Sequence, residues 1–372
     1  MLGSSTEKAG VVSAEFPRDM LPLLRCSRDA GPLVIITDLP SRAVGIVEAR
    51  LRCSTCAAEY RIEDGIARLM EGTLTPEDEH EMAIRDADHA CTRPGPFVPP
   101  ASGWRSELSD LLEIPPHLAE LEPLDNRRVL ELGCGDGRFT MLMAQMGARI
   151  LAIDFSINGL RALAWRLPSG VAPTAYQPVR RCSAAELCRH IGLVQADASH
   201  FHVAHRSFDR ALSATPLDSR DQRMAMYRTL ADALTDDGRF IGGVEHDDLT
   251  RRLLGLPIAR RYSQGGIFIE HFDIATMRRE VAPYFSKLSI RPIRPRVPFV
   301  HRLPRAWALP VARTVAAMPV LRQLGEILLL RAERPVRPPV EGANRPGSKL
   351  AKGFSRWYTR KIGSNSRTLF AP

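Results

Sequence analysis

VLELGCGDGRFT, Val129 to Thr140, joins a strand, a glycine turn and a helix, and LAIDFS, Leu151 to Ser156, closes a second strand with an acid. Val129, Leu130 and Leu132 form a short apolar run that Gly133, Gly135 and Gly137 end, after which Phe139, Leu142, Met143 and Met146 recur at helical spacing. A turn this tight needs positive backbone dihedrals and leaves no room for Cβ atoms where backbone meets a ligand. The second strand, Ile150 to Ile153, ends in Asp154, and in open α/β sheets ligands bind at the carboxyl ends of the strands. The pattern predicts an α/β fold, a doubly wound, mostly parallel sheet with a nucleotide-type cofactor at its carboxyl edge.

Glycine spacing narrows the ligand. A dinucleotide turn wants G-x-G-x-x-G, whereas here Arg138 stands in the third glycine's place and Glu131 lies two residues before the first. The E-x-G-x-G-x-G pattern resembles the first motif of the class I S-adenosylmethionine-dependent methyltransferases, which have a Rossmann-like sheet. The resemblance extends through LVQADA (193–198), SFDRALSAT (207–215), LADALTDDGRFIGGVEH (230–246) and EILLLRAERP (326–335), similar to the third, fourth, fifth and last strands of such domains. It implies S-adenosylmethionine as cofactor, with the ribose on Asp154 and the adenine beside Asp197. The implied cofactor contacts are Glu131, Gly133, Cys134, Gly135, Gly137, Asp154, Phe155, Asp197, Ala198 and Ser213.

Ahead of this region, residues 16–70 read as a small β-rich module. LRCSTCAAEYRIEDGIARLM carries a CxxC knuckle before a short strand, and CSRD, Cys26 to Asp29, precedes it. The segment resembles the small zinc-ribbon family that partners and activates some methyltransferases, in which both knuckles are CxxC. In this chain the candidate ligands are Cys26, Asp29, Cys53 and Cys56. Structural zinc sites are built overwhelmingly from Cys and His, so two readings stay open: zinc on this set, or a metal-free ribbon held by Leu51, Tyr60, Ile62 and Ile66. PGPFVPP, Pro94 to Pro100, is stiff and poor in donors and marks residues 71–103 as a linker. Trp104 to Leu121, apolar on one face, is expected to form a helix that lids the cofactor pocket of a catalytic domain over 104–334. Within that domain, 168–190 and 297–324 read as insertions, the second expected to pack over the active site.

The net charge of +9 is unevenly placed. Residues 335–372 hold eight Lys or Arg against one acid, which leaves +2 for all the rest. The high charge therefore describes a tail and argues against a catalytic surface that grips nucleic acid. In that tail Leu350, Phe354, Trp357, Tyr358 and Ile362 follow helical spacing opposite Lys349, Lys352, Arg356, Arg360 and Lys361, a basic amphipathic pattern suited to an anionic membrane surface. Seven scattered cysteines, the lack of a secretory leader pattern and the lack of a long apolar stretch predict a cytoplasmic protein, with peripheral membrane contact as the alternative.

Methyl transfer is an in-line displacement, so alignment of donor and acceptor matters most, and a base is needed only if the acceptor arrives protonated. His246, between Glu245 and Asp247 past the fifth strand, is the first candidate base; His271, in GIFIEHFD, is the second. His200, His202 and His205 read as a solvated loop. ATPLDS after the fourth strand is not the NPPY or DPPY of base-amine methylation, and the fourth and fifth strands carry no cysteine nucleophile. A small-molecule, glycan or lipid-linked acceptor methylated on oxygen or nitrogen is expected. An RNA or protein methyltransferase, or a cofactor-binding scaffold without catalysis, is the alternative.

Overall fold

The computed structural model describes residues 14–38, 45–71, 74–90, 104–170, 182–214, 217, 219–256 and 267–337. The basic tail from residue 338, the PGPFVPP stretch and residues 171–181 of the 168–190 insertion lie outside them.

The amino-terminal part holds β1 (Phe16–Pro17), β2 (Leu33–Asp38), β3 (Gly45–Ile46), β4 (Ala49–Cys53), β5 (Glu59–Glu63) and β6 (Ile66–Arg68), followed by helices α1 (Pro76–Ala90) and α2 (Trp104–Leu121). Strands and helices then alternate as β7 (Arg128–Leu132), α3 (Thr140–Gln145), β8 (Arg149–Asp154), α4 (Ile157–Arg166), α5 (Ala184–His190), β9 (Ile191–Gln195), β10 (Phe208–Ser213), α6 (Arg220–Ala233) and β11 (Leu234–Glu245). The chain continues through α7 (Leu249–Leu253), α8 (Ile274–Val281), β12 (Phe285–Pro295), α9 (Arg305–Ala317) and β13 (Gly325–Pro335).

Among the described residues eleven strands share one sheet, in the order β12-β13-β11-β10-β7-β8-β9-β6-β5-β4-β2. Strands β11, β10, β7, β8, β9 and β6 run parallel, as the expected doubly wound sheet requires. Strands β7 to β9 are buried along almost their whole length because helices cover both faces. At one end β13 and β12 turn the sheet antiparallel.

The amino-terminal module was expected as a separate body, but it continues the central sheet. Strand β6 pairs in parallel with β9, Ile66 opposite Leu193 and Arg68 opposite Gln195, and Leu69 N–H donates to Gln195 O at 2.9 Å. The module's Leu51, Ile62 and Phe16 bury in one apolar cluster with Leu130, Leu151 and Val194 of the central strands. A unit of this size gains its core by sharing one.

Two further expectations change. Residues 71–103 were read as linker, yet 76–90 form α1. Thr75 caps its start: Oγ1 accepts from Asp78 N at 3.1 Å and donates to the Asp78 carboxylate at 2.7 Å, with proline at the first helical position. Helix α2 forms over the expected span, but it packs beside β11, β12 and α9 and does not lid the pocket. Ile114, Leu118 and Leu121 anchor it in the core. Helix α9 likewise packs on α2, through Ala308 and Ala312 against Leu108 and Leu112, and does not cover the pocket.

Candidate active site

At the carboxyl ends of β7, β8, β9 and β10 lies an open cleft of about 950 Å³, mouth included. Gly133 and Gly135 form its floor, with φ of 71° and 51°. The buried Asp154 carboxylate accepts from Gly135 N at 2.7 Å and from Ser156 N at 2.8 Å, so it braces the turn while facing the cleft. Burial pushes Asp154 upward in pKa, and those two amide bonds oppose the shift. Ser156 caps α4 by accepting from Gly159 N at 3.0 Å. Across the cleft, Asp197 is held by Ser199, whose N–H and hydroxyl donate to it at 2.7 and 2.8 Å.

Seven of the ten expected contacts, Gly133, Gly135, Asp154, Phe155, Asp197, Ala198 and Ser213, line this cleft. Glu131, Cys134 and Gly137 stand behind its wall. Glu131 accepts from Thr140 Oγ1 at 2.6 Å at the start of α3, and burial raises its carboxyl from its ordinary 4.5 to about 8, with the charge on Asp154 adding to the shift. Cys134 is buried in the core. Gly137, at φ 96°, packs on Leu163, whose Cδ1 lies 2.4 Å from where a Cβ would sit. Arg138, in the place of a third glycine, reaches outward to α2 and donates to Asp110 at 2.7 Å and to Glu113 at 3.1 Å.

Helix α1 supplies the wall that sequence reading missed. Asp78, Glu81, Arg85 and His89 recur at helical spacing and all face the cleft. Asp86 ties the helix to the rim: its carboxylate accepts from Ser156 Oγ at 2.5 Å and from Asn158 N at 3.1 Å. At the other end Gln222 Nε2 donates to Asp78 at 2.9 Å. The helix buries no residue completely and shows no apolar stripe, so periodicity gives it no signal. The Thr-Pro-Glu-Asp start was the readable sign. Burial raises the Glu81 carboxyl, with Arg85 opposing the shift. Four carboxylates, Asp78, Glu81, Asp154 and Asp197, thus line the cleft with one arginine and one histidine, a field suited to a cationic ligand.

The candidate bases lie elsewhere. His246 is buried, its ring Nδ1 2.6 Å from Gly325 O and its N–H bonded to Glu326 O, and burial lowers its pKa. His271 is half-buried beside Phe272. Neither lines the cleft among the described residues. His200 bonds Asp197 at 3.0 Å, and His202 lines a small apolar cavity under Leu24 and Phe201.

The four candidate metal ligands do come together: their sulfur and carboxylate atoms all lie within 4.8 Å of one another. The two knuckles have matching backbones. Cys26 N–H donates to Gly31 O at 2.9 Å and Cys53 N–H to Ala58 O at 2.8 Å, while Ala30 and Ala57 turn at φ 58° and 60°. Arg28 N and Thr55 N each point at their cysteine's sulfur, at 3.4 Å. Amides aimed at sulfur favour thiolates, and three thiolates with one carboxylate form a set that a zinc ion accepts. The departure at Asp29 leaves the first knuckle's turn intact: its Oδ1 accepts from Gly31 N at 2.8 Å.

Residues 129–238 match the methyltransferase domain family, a span running from β7 into β11. Similar solved structures include an S-adenosylmethionine-dependent methyltransferase from Mesorhizobium loti, 21% identical over 61% of this chain and 98% of its own, with a TM-score of 0.39. A 1,6-didemethyltoxoflavin-N1-methyltransferase from Burkholderia thailandensis is 18% identical over 71% and 93%, with a TM-score of 0.38. Phosphoethanolamine N-methyltransferase 1 from Haemonchus contortus is 14% identical over 78% and 57%, with a TM-score of 0.44. No curated protein matches the chain. The family match falls on the strands and turn that build the acidic cleft, so residues 129–238 match a methyltransferase domain and the chain is an enzyme.

Proposed function

We propose that this enzyme methylates an oxygen or nitrogen of a small-molecule, glycan or lipid-linked acceptor. The observation that carries the cofactor half of this reading is Asp154, which is bonded to the glycine turn and open to the cleft at once. When bound, S-adenosylmethionine supplies a methyl carbon activated by its sulfonium. The residues of this chain bind and align: Gly133 and Gly135 let the ligand approach backbone, Asp154 accepts from the ribose hydroxyls, Asp197 marks the adenine end, and α1 excludes water from one side. Outside the tail the chain carries only +2, which supports an acceptor other than a polyanion.

His246 and His271 are proposed as bases only for an acceptor that loses a proton, since both stand outside the cofactor cleft. Cys26, Asp29, Cys53 and Cys56 are proposed as ligands of one zinc ion that fixes the knuckles. The basic tail is proposed to add contact with an anionic membrane surface.

Two measurements test the reading. Calorimetry is expected to give saturable S-adenosylmethionine binding that Asp154→Ala weakens at least about a hundredfold, the scale of losing charge-assisted hydrogen bonds in a buried site; equal affinity in the variant would remove Asp154 from the site. Methyl-labelled cofactor, incubated with small-molecule, lipid, RNA and protein fractions, is expected to label one of the first two. Label confined to RNA or protein would replace the proposed acceptor class.

A further inference from the structure

Among the described residues most of the large apolar side chains that remain exposed fall in just two stretches, Leu249 to Leu256 and Phe299 to Leu321. Leu253 is 78% exposed, Val320 74%, Trp307 66% and Phe299 65%. They are neighbours in space. Helix α7 begins just past the carboxyl end of β11, and the β12–β13 connection leaves β12 where Pro295 pairs with Gly325, the first residue of β13. Glu245 in turn pairs with Ile327. Both stretches therefore stand at the carboxyl edge of the sheet, the edge that carries the cofactor cleft, and α7 contacts the 3-10 turn Leu321–Leu324.

Their charge is one-sided. Residues 249–256 and 296–324 contain Arg251, Arg252, Arg296, Arg302, Arg305, Arg313 and Arg322 with no acid between them. Some of this charge is met from outside the stretches: Arg251 and Arg252 pair with Asp247 at 3.9 and 3.0 Å, Arg296 with Glu326 at 2.7 Å and Arg305 with Glu107 at 3.2 Å. Phe299 is held at φ 58°, a costly conformation for a bulky residue, with its ring exposed and the Arg302 guanidinium 5.0 Å from the ring centroid. The inner side of α9, Ala308 and Ala312, packs on α2, so the outward side with Trp307 and Arg313 is the one left to solvent.

We propose that α7 and the β12–β13 connection form a docking surface for an anionic lipid membrane. Protruding Leu, Phe and Trp side chains separated by arginines suit a headgroup boundary, where apolar tips enter the acyl region and cations meet lipid phosphates. A protein partner of ordinary kind would leave less reason for two stretches that carry seven arginines and no acid of their own. In sequence these residues lie outside the basic tail. Docking would set the acceptor edge of the sheet against the bilayer, and this consequence alone rests on the methyltransferase reading: it makes the acceptor a lipid or a lipid-linked molecule.

The test is sedimentation of the full chain with phosphatidylcholine vesicles that contain or lack phosphatidylglycerol, comparing the natural sequence with the double variant Leu253→Asp, Trp307→Asp. Both residues are exposed and neither touches the cleft, so unchanged S-adenosylmethionine binding by calorimetry certifies the variant's fold. The natural sequence is expected to partition onto the anionic vesicles at least about tenfold better than onto neutral ones, and the variant to lose at least about tenfold of that. Equal partitioning of variant and natural chain, or no binding of either, overturns the proposal. Loss of a dimer in the variant by sedimentation velocity, without a change in vesicle binding, would overturn it in favour of a second copy of the chain. Because vesicle binding is read without turnover, its failure is distinct from failure of the cofactor assignment.

Discussion

Gly135 and Gly137 are two residues apart and serve different ends. A Cβ on Gly135 meets nothing nearer than His89 Nε2 at 4.0 Å, so the space it would enter belongs to the cleft. A Cβ on Gly137 strikes Leu163 at 2.4 Å, inside the core. Gly135→Ala is accordingly expected to cost about 1 kcal/mol of stability through its φ of 51° while weakening cofactor binding at least about tenfold. Gly137→Ala is expected to destabilise by about 1–3 kcal/mol through overpacking, with cofactor affinity little changed in the folded fraction. Thermal unfolding and calorimetry on both variants check this; two variants with the same profile would mean that the turn acts as one unit. Glu131 belongs to the same distinction. Its place in the motif was readable, but its bond to Thr140 shows a residue that holds the start of α3 behind the cofactor wall.

Helix α1, within a span that sequence alone read as linker, takes the place beside the cleft that was expected of α2. Helix α2 has an apolar stripe and therefore belongs to the core, while its polar side is taken by Arg138 and by Arg294, which donates to Glu113 at 2.6 Å. Helix α1 lacks a stripe because one face looks into a polar cleft, and what fastens it is Asp86. Asp86→Ala is expected to free the helix end and weaken S-adenosylmethionine binding about tenfold, the scale of one or two charge-assisted hydrogen bonds, with a fall in melting temperature smaller than that of Gly137→Ala. Unchanged affinity would show that α1 does not help hold the cofactor. Strand β12 was missed for a related reason. FSKLSIRPIRP mixes lysine, arginine and two prolines into its alternation, a composition tolerated because β12 is an edge strand paired only with β13 among the described residues.

For the whole molecule, the joint that matters is β6 against β9. It carries the knuckle module into the central sheet, and Ser27, next to Cys26, donates to Leu69 O at 2.6 Å while Leu69 N–H bonds Gln195, two residues before Asp197. Zinc analysis of the purified chain is expected to find about one ion per chain, by the four-ligand count of such sites. Its removal by a chelator is expected to lower the melting temperature, because a site absent from the unfolded chain adds its binding energy to folding. Asp29→Cys is expected to hold zinc more tightly against the same chelator. A metal-free chain of unchanged melting temperature would leave the knuckles to Leu51, Tyr60, Ile62 and Ile66, all buried.

The sequence by itself determined the parts that depend on local chemistry: the glycine turn, the acids that end β8 and follow β9, the alternation of buried strands with helices, and the ligand spacing of the two knuckles. Each of these is written within a few residues, where backbone dihedrals, strand direction and side-chain type leave few choices. Only the tertiary structure decided which helix walls the cleft, that the module shares the sheet and core of the catalytic domain, that His246 lies outside the cleft, and that two distant stretches meet as one cationic, apolar surface. Those outcomes depend on which faces cover one another across long separations in sequence, and a residue pattern records a face without naming what will cover it.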